Sequence, residues 1–213
     1  MRAEDSQEVE LKFLINKEEI SALRKFLDAH GRAIQALKLR NLYFDTPDET
    51  LSQERIGLRI RCWNDQCEQT IKLAGLQQGA MSQRPEYTVP YQGTVPDLTL
   101  FPRSIFGRHL DPISLTQSLV QMFTIEFNRE RWRFYDGDAE IEVAVDQGEI
   151  ISDGAREPIC ELELELVQGD MSLLERVVSE IEQIIVLRPG TSSKAQRGFA
   201  LRHKRAAQDH NGQ

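Results

Sequence analysis

Charged and apolar residues alternate strictly along several separate stretches of this 213-residue chain. The alternating charges are carboxylates in residues 8–10 and 161–165, and cations in residues 59–61 and 129–133. Because residues i and i+2 of a β-strand share one face, each stretch places its charges on one side of a strand and its apolar residues on the other. The pattern therefore predicts several amphipathic strands, each with one charged face.

Two arrangements of these strands fit the alternation. In the first, the charged faces are solvated and neutralise one another in cross-strand pairs, as on many antiparallel sheets. In the second, the sheet closes into a barrel with its charges inside and its apolar residues outside, under covering helices. A solvated face would be expected to mix Ser, Thr, Asn and Gln among the charges, and their scarcity in these stretches favours the second arrangement.

Strand and hairpin signals recur along the chain without a βαβ rhythm, which predicts a single-domain antiparallel α+β fold of about eight strands. The strands are expected at residues 8–15, 36–45, 56–63, 67–74, 84–91, 122–135, 139–147 and 159–167.

Helix signals are fewer than strand signals. Amphipathic helices are expected from Asn16 to about Gly31 and over 171–187, the first with capping-box spacing at Asn16 and Glu19 and the second at Ser172 and Glu175. A short helix is expected over 114–121 and a long connection over 93–112. The domain is expected to cover residues 1–205, followed by a disordered polar tail over 206–213.

Composition limits the classes of partner. The net charge of -8 argues against nonspecific nucleic-acid binding, which needs a positive surface. No apolar run approaches the ~20 residues that cross a membrane, and the polar N-terminus is unlike a signal peptide, so a cytoplasmic protein without a membrane partner is expected. Three scattered cysteines fit a reducing compartment, and a zinc site is not expected.

Two pairs of carboxylates share a strand face: Glu8 with Glu10, and Glu161 with Glu163. Carboxylates this close resist ionisation unless a positive group lies between them. A hard divalent cation with oxygen ligands, Mg²⁺ or Mn²⁺, would relieve the repulsion. Lysines and arginines on neighbouring strands would do so too, and the alternation by itself leaves both solutions open.

The cations suggest an anionic ligand. Arg59 and Arg61 share a face, and so do the arginines of residues 129–133. Guanidinium groups form bidentate, charge-assisted hydrogen bonds to phosphate oxygens, so several of them in one cavity suit a polyanionic phosphate. Carboxylates for a metal and bases for phosphates together predict metal-dependent phosphoryl chemistry.

A series of short motifs carries a resemblance over nearly the whole chain. In chain order they are Glu8-x-Glu10-x-Lys12, Tyr43-Phe44-Asp45-Thr46, Leu58-Arg59-Ile60-Arg61, Thr70-Ile71-Lys72, Arg84-Pro85-Glu86-Tyr87, Arg129-Glu130-Arg131, Val145-Asp146-Gln147-Gly148, Glu161-Leu162-Glu163 and Ser193-Lys194. Each motif is weak alone, but in this order they resemble the CYTH superfamily, the triphosphate tunnel metalloenzymes.

The resemblance implies a closed antiparallel β-barrel of about eight strands that forms a charged tunnel, with helices packed on the outside. Carried over position by position, it implies that the substrate-binding residues are Lys12, Arg59, Arg61, Lys72, Arg84, Arg129, Arg131 and Lys194. It implies that the metal ligands are Glu8, Glu10, Asp146, Glu161, Glu163 and Glu165. The expected catalytic residues are Glu10, Glu163 and Lys12, and the expected outer contributors are Glu86, Arg40 and Arg197.

Residues 83–87 and 158–166 most resemble bacterial inorganic triphosphatases, in which a helical CHAD domain often follows the CYTH domain. The expected activity is Mg²⁺- or Mn²⁺-dependent hydrolysis of inorganic triphosphate to pyrophosphate and phosphate, with a CHAD domain as an expected partner in a full-length context. Three alternatives stay open: a class IV adenylyl cyclase, a thiamine triphosphatase, and a polyphosphate-binding module without catalysis.

Overall fold

A closed eight-stranded antiparallel barrel forms the body of the computed structural model, which describes residues 4–211. Its strands are β1 (Glu4–Leu14), β2 (Arg32–Asp45), β3 (Gly57–Trp63), β4 (Gln66–Lys72), β6 (Met81–Pro90), β7 (Val120–Asp136), β8 (Ala139–Ser152) and β9 (Ala155–Gln168). Their spatial order is β1-β9-β8-β7-β2-β3-β4-β6, and β6 pairs with β1 to close the barrel. The expected fold class is confirmed.

Two short strands and five α-helices complete the fold of the described residues, together with three short 3-10 helices at Lys17–Glu19, Leu98–Leu100 and Arg103–Phe106. The strands are β5 (Leu76–Gln78) and β10 (Arg188–Pro189), and the helices are α1 (Ile20–His30), α2 (Thr50–Gln53), α3 (Pro112–Ser118), α4 (Ser172–Glu182) and α5 (Lys194–Asn211). None of the helices within residues 4–211 is long and apolar enough to span a membrane.

The outer face of the barrel is apolar and covered. Leu23 of α1 and Ile181 of α4 pack with Trp132 of β7 in one buried cluster. Leu58 and Ile60 of β3 belong to a second outer cluster, under the segment that links β6 to β7. Arg59, which lies between those two residues in sequence, therefore points into the barrel. The inward arrangement of the charges is the one that the structure adopts.

The interior is not charged throughout. Phe123 and Phe127 lie on the same inward face of β7 as Arg129, and a third apolar cluster joins them to Phe199 of α5. The Phe199 and Phe123 rings pack edge to face, with centroids 5.0 Å apart. Helix α5 thus closes one end of the barrel on an aromatic layer, and the charged cavity occupies the rest.

The ends of several elements differ from the sequence-based expectation. Strand β5 forms between the strands expected at 67–74 and 84–91, where none was expected. Helix α5 covers residues 194–211, including most of the 206–213 range expected to be a disordered tail, and residues 212–213 lie outside the described part. The predicted capping box of Asn16 and Glu19 is present. At α4 the cap differs from the prediction, because the Asp170 carboxylate accepts a hydrogen bond from the backbone N–H of Ser172.

The cysteines also depart from expectation. Cys62 and Cys67, expected to belong to a scattered set in a reducing compartment, form a disulfide. The hairpin explains the pairing, because the two residues lie directly opposite each other on β3 and β4. Cys160 is free.

Candidate functional site

A cavity of about 1120 Å³ fills the charged part of the barrel interior. Each of the eight barrel strands contributes to its wall. Its charged and hydroxyl-bearing lining includes Glu8, Glu10, Lys12, Tyr43, Arg59, Arg61, Lys72, Arg84, Glu86, Arg129, Arg133, Glu142, Glu163, Glu165 and Lys194. Most of the site residues expected from the sequence therefore share one cavity.

Strand register brings the two acidic stretches together. Glu10 on β1 lies opposite Glu165 on β9, and Lys12 lies opposite Glu163. On its other side, β1 places Glu8 opposite Arg84 of β6. The alternation determines on which face of its strand each residue lies. The strand register then brings acids from distant parts of the chain next to each other.

At one end of the acidic wall the carboxylates are paired with bases. Glu8 accepts a hydrogen bond from Arg84 Nε at 2.8 Å and forms an ion pair with Lys72 Nζ at 2.5 Å. Lys72 also contacts Glu86 at 2.6 Å. Burial alone would raise the pKa of Glu8, but Lys72 and Arg84 hold that pKa well below its usual range.

At the other end, three carboxylates surround the ammonium group of Lys194. Its Nζ lies 2.8 Å from Asp146, 2.6 Å from Glu161 and 2.7 Å from Glu163. Their grouping has the spacing of a metal site, but Lys194 already neutralises it. Burial opposes the charge of Lys194, yet the three carboxylates raise its pKa.

Two arginines complete this deep cluster. Arg129 donates to both carboxylate oxygens of Asp146, at 2.8 and 2.7 Å, and Arg197 contacts Glu161. Asp146 and Glu161 are fully buried and do not line the cavity. The structure therefore separates these two predicted metal ligands from the open part of the site.

Glu10 and Glu165 are the acids with the weakest compensation. The nearest base to Glu10 among the described residues is Arg84, whose Nη2 lies 3.6 Å away. No base of the described residues forms an ion pair with Glu165. Burial, Glu163 and Glu8 raise the pKa of Glu10. Burial, with Glu8, raises the pKa of Glu165 to about 7. Glu10 and Glu165 lie opposite each other in strand register, and under-neutralised carboxylates are the kind of ligand that a hard cation such as Mg²⁺ or Mn²⁺ prefers.

Arg59 and Arg61 are two bases of the cavity without a close ion-pair partner. The nearest acid to Arg59 is Glu86 at 3.9 Å, and the buried Arg59 Nε has no hydrogen-bond partner. Within residues 4–211, no carboxylate lies within ion-pair distance of Arg61. Burial, Arg59 and Arg129 lower the pKa of Arg61 to about 10. Two guanidiniums with so little ion pairing, one buried and one partly buried, suit a phosphate group.

Lys12 lies on the acidic side of the cavity, opposite Glu163 of β9. Its Nζ donates to the backbone carbonyl of Ser192 at 2.6 Å. Burial lowers the pKa of Lys12, against the opposing influence of Glu163, Glu161 and Glu10. The ammonium is thus anchored at one contact and retains donors for a ligand.

Some predicted positions do not join the cavity. Arg131 donates to the Gln35 carbonyl at 2.9 and 3.1 Å and is not part of the lining. Arg40 lies on the outer face, 3.1 Å from Glu126. Arg197 belongs to the deep cluster, whereas Glu86 lines the cavity itself.

The cavity also contains residues that were not named as site residues. Arg133, which the alternation places on the same face as Arg129, pairs with Glu142 of β8 at 2.9 Å. Applying the period-two pattern to β8 as well would have found Glu142. Tyr43 lines the wall beside Arg59, but a neutral residue carries no signal in a charge pattern.

Comparison with known proteins agrees with the fold. The CYTH domain family model matches residues 6–199. An inorganic triphosphatase of Haemophilus influenzae is 32% identical over 204 residues, which cover 95% of this chain and 57% of that protein. The chain thus spans little more than half the length of this curated relative.

Two solved structures share the architecture. A putative adenylyl cyclase from Hippeastrum, described as having a dominant triphosphatase activity, has a TM-score of 0.67 at 19% identity and covers 92% of this chain and 95% of its own. A putative adenylate cyclase from Bacillus halodurans has a TM-score of 0.59 at 20% identity, with coverages of 92% and 98%. These likenesses concern the fold. The match over residues 6–199 shows that the chain belongs to the CYTH domain family.

Proposed function

We propose that this protein hydrolyses inorganic triphosphate to pyrophosphate and phosphate inside the barrel, with Mg²⁺ or Mn²⁺ as cofactor. The observation that carries the proposal is that one cavity contains both under-neutralised acids and under-neutralised bases. Glu10 faces Glu165 on β1 and β9, and Arg59 and Arg61 lie on β3. The 32% identical relative named an inorganic triphosphatase supports it.

The bases bind the phosphate chain. Arg59 and Arg61 take the phosphate oxygens most readily, because no strong acid partner has to be displaced. Lys12 supplies further ammonium donors beside Glu163. Lys72, Arg84 and Arg129 already pair with acids, and they extend the positive wall along the substrate.

The acids hold the metal and move the proton. Glu10 and Glu165 would hold the cation, with Glu8 and Glu163 at its sides; Asp146 and Glu161 support this set through Lys194. A bound divalent cation would neutralise negative charge on the phosphate oxygens and would lower the pKa of a bound water.

The environments of the acids favour Glu10 as the proton acceptor. Burial raises the pKa of Glu163, but Lys194 and Arg129 outweigh it and keep that pKa well below its usual range. In the metal-free protein Glu10 has a raised pKa, and we propose Glu10, rather than Glu163, as the group that accepts a proton from water. Glu163 then acts as a fixed negative charge that orients Lys12 and Lys194.

The test is one assay with three substrates. Inorganic triphosphate, ATP and thiamine triphosphate are compared at equal concentration with Mg²⁺, following phosphate release and cyclic AMP. We expect inorganic triphosphate to be hydrolysed fastest, with no cyclic AMP. Faster turnover of either organic triphosphate, or formation of cyclic AMP, would reassign the substrate. Binding without turnover would make the protein a polyphosphate-binding module. The expected CHAD domain partner and cytoplasmic location stay predictions.

A further inference from the structure

Asn41 is a fully buried polar residue in the barrel wall, and it is not among the site residues expected from the sequence. It lies on β2, directly opposite Arg61 of β3 and Ile125 of β7. Its Oδ1 accepts a hydrogen bond from Arg61 Nε at 3.0 Å. Its Nδ2 has no hydrogen-bond partner within the described residues.

The same barrel contains a charged version of this contact. Arg129 on β7 lies opposite Asp146 on β8, and its Nε donates to Asp146 Oδ1 at 2.8 Å. In both pairs a cross-strand oxygen orients an arginine through Nε. The difference is that Asp146 neutralises Arg129, whereas the amide of Asn41 leaves the charge of Arg61 uncompensated.

The other groups that face Arg61 do not neutralise its charge in the way that a carboxylate at position 41 would. Arg59 on the same strand and Arg129 on β7 are cations, and they disfavour its charge. Glu68 lies opposite Arg61 on β4, and Glu68 and Tyr43 both favour that charge, but Glu68 forms no ion pair with Arg61 within 4.0 Å. The partly buried guanidinium of Arg61 therefore has an orienting partner but no anion that neutralises it.

We propose that Asn41 is a positioning residue, which holds Arg61 in place while leaving its positive charge available to a phosphate group of the substrate. This inference rests on the proposed function for the identity of the ligand. An aspartate at position 41 would orient Arg61 equally well but would compete with the phosphate for it. The unpartnered Nδ2 is the cost of using an amide there.

The test is calorimetric binding of inorganic tripolyphosphate in EDTA, which needs no turnover. Wild type is compared with Asn41→Asp and Asn41→Leu. Asn128→Asp is the matched control, because Asn128 is exposed and the substitution adds the same charge outside the barrel. We expect Asn41→Asp to weaken binding at least tenfold, Asn41→Leu to weaken it less, and Asn128→Asp to change it less than twofold.

The thermal midpoint separates positioning from a structural role. The new carboxylate of Asn41→Asp pairs with Arg61, so the midpoint should not fall although binding weakens. Equal binding by wild type and Asn41→Asp, weaker binding by Asn41→Leu than by Asn41→Asp, or no metal-free binding by wild type would each overturn the inference. A wild type that binds but does not hydrolyse triphosphate would instead overturn the proposed function alone.

Discussion

At the scale of single residues, the charges of the tunnel differ in their partners rather than in their type. Glu163 is locked to Lys194 and Arg129, whereas Glu10 has only Arg84 at 3.6 Å among its described ion-pair partners. Both are glutamates on inward strand faces. Their different surroundings lower the pKa of Glu163 and raise that of Glu10, which is the basis of the different chemical roles that we propose for them.

Replacing Glu10 with Gln should remove the proton acceptor and a metal ligand while keeping the size of the side chain. We expect the rate of phosphate release to fall by about 100-fold or more, because general-base catalysis contributes that much. Metal-free binding of tripolyphosphate should change less than threefold. Glu126→Gln on the outer face is the control. Turnover by Glu10→Gln at the wild-type rate would show that Glu10 is not part of the catalytic site.

The raised pKa of Glu165 predicts a pH dependence of stability in the metal-free protein. Because its folded-state pKa of about 7 exceeds its ordinary value of 4.5, the folded state binds a proton that the unfolded state has lost. The free energy of unfolding should therefore fall between pH 4.5 and 7, by no more than about 3 kcal/mol from this group.

Urea unfolding at pH 5 and pH 8, with EDTA present, measures this decline. Glu165→Gln should make it shallower, although Glu10 continues to contribute in the same direction. An unchanged decline in Glu165→Gln would show that this carboxylate does not titrate in the window.

The alternation of charged and apolar residues does not predict these residue roles. The two-residue period of a strand assigns each charged residue to one face, so the inward direction of the Glu10 and Arg59 side chains follows from the sequence. Its partner depends on strand register, which joins Glu10 to Glu165 across 155 positions of the chain. Asn41 and Tyr43 share the inward face of β2 but are neutral, so a pattern of charges does not include them.

At the scale of elements, helix α5 is the part that the sequence predicts least well. The segment is polar, and it contains Gly198, which lowers helix propensity by about 1 kcal/mol relative to Ala. The reason for the glycine is tertiary: a Cβ at Gly198 would lie 2.2 Å from the ring of Phe123. Lys194 at the start of the helix then reaches the deep acidic cluster.

Replacing Lys194 with Met should leave Asp146, Glu161 and Glu163 without their shared cation. Removing one partner of a buried ion cluster costs about 3–5 kcal/mol, so the thermal midpoint should fall on the order of 10 °C. Lys204→Met, on an exposed part of α5, is the control. Adding Glu161→Gln to Lys194→Met should recover part of the loss, and an unchanged midpoint in Lys194→Met would contradict the assignment.

At the scale of the whole molecule, formal charge and local potential differ in sign. The chain carries a net charge of -8, yet Arg59, Arg61 and Lys12 converge in its interior. Closing the sheet into a barrel makes this arrangement stable, because the apolar outer faces pack under α1, α4 and the segment between β6 and β7. The closed sheet and its charged interior were predictable from the alternation and the motif order; the aromatic end layer under α5 was not.

The central claim is that the tunnel combines a metal and a triphosphate to break one phosphoanhydride bond. The most direct measurement is ³¹P NMR of inorganic tripolyphosphate incubated with the protein and Mg²⁺, then with excess EDTA, then with Mg²⁺ restored. We predict equal amounts of pyrophosphate and phosphate, arrest by EDTA and resumption with Mg²⁺. Intact tripolyphosphate throughout, or hydrolysis that continues unchanged in EDTA, would contradict the account.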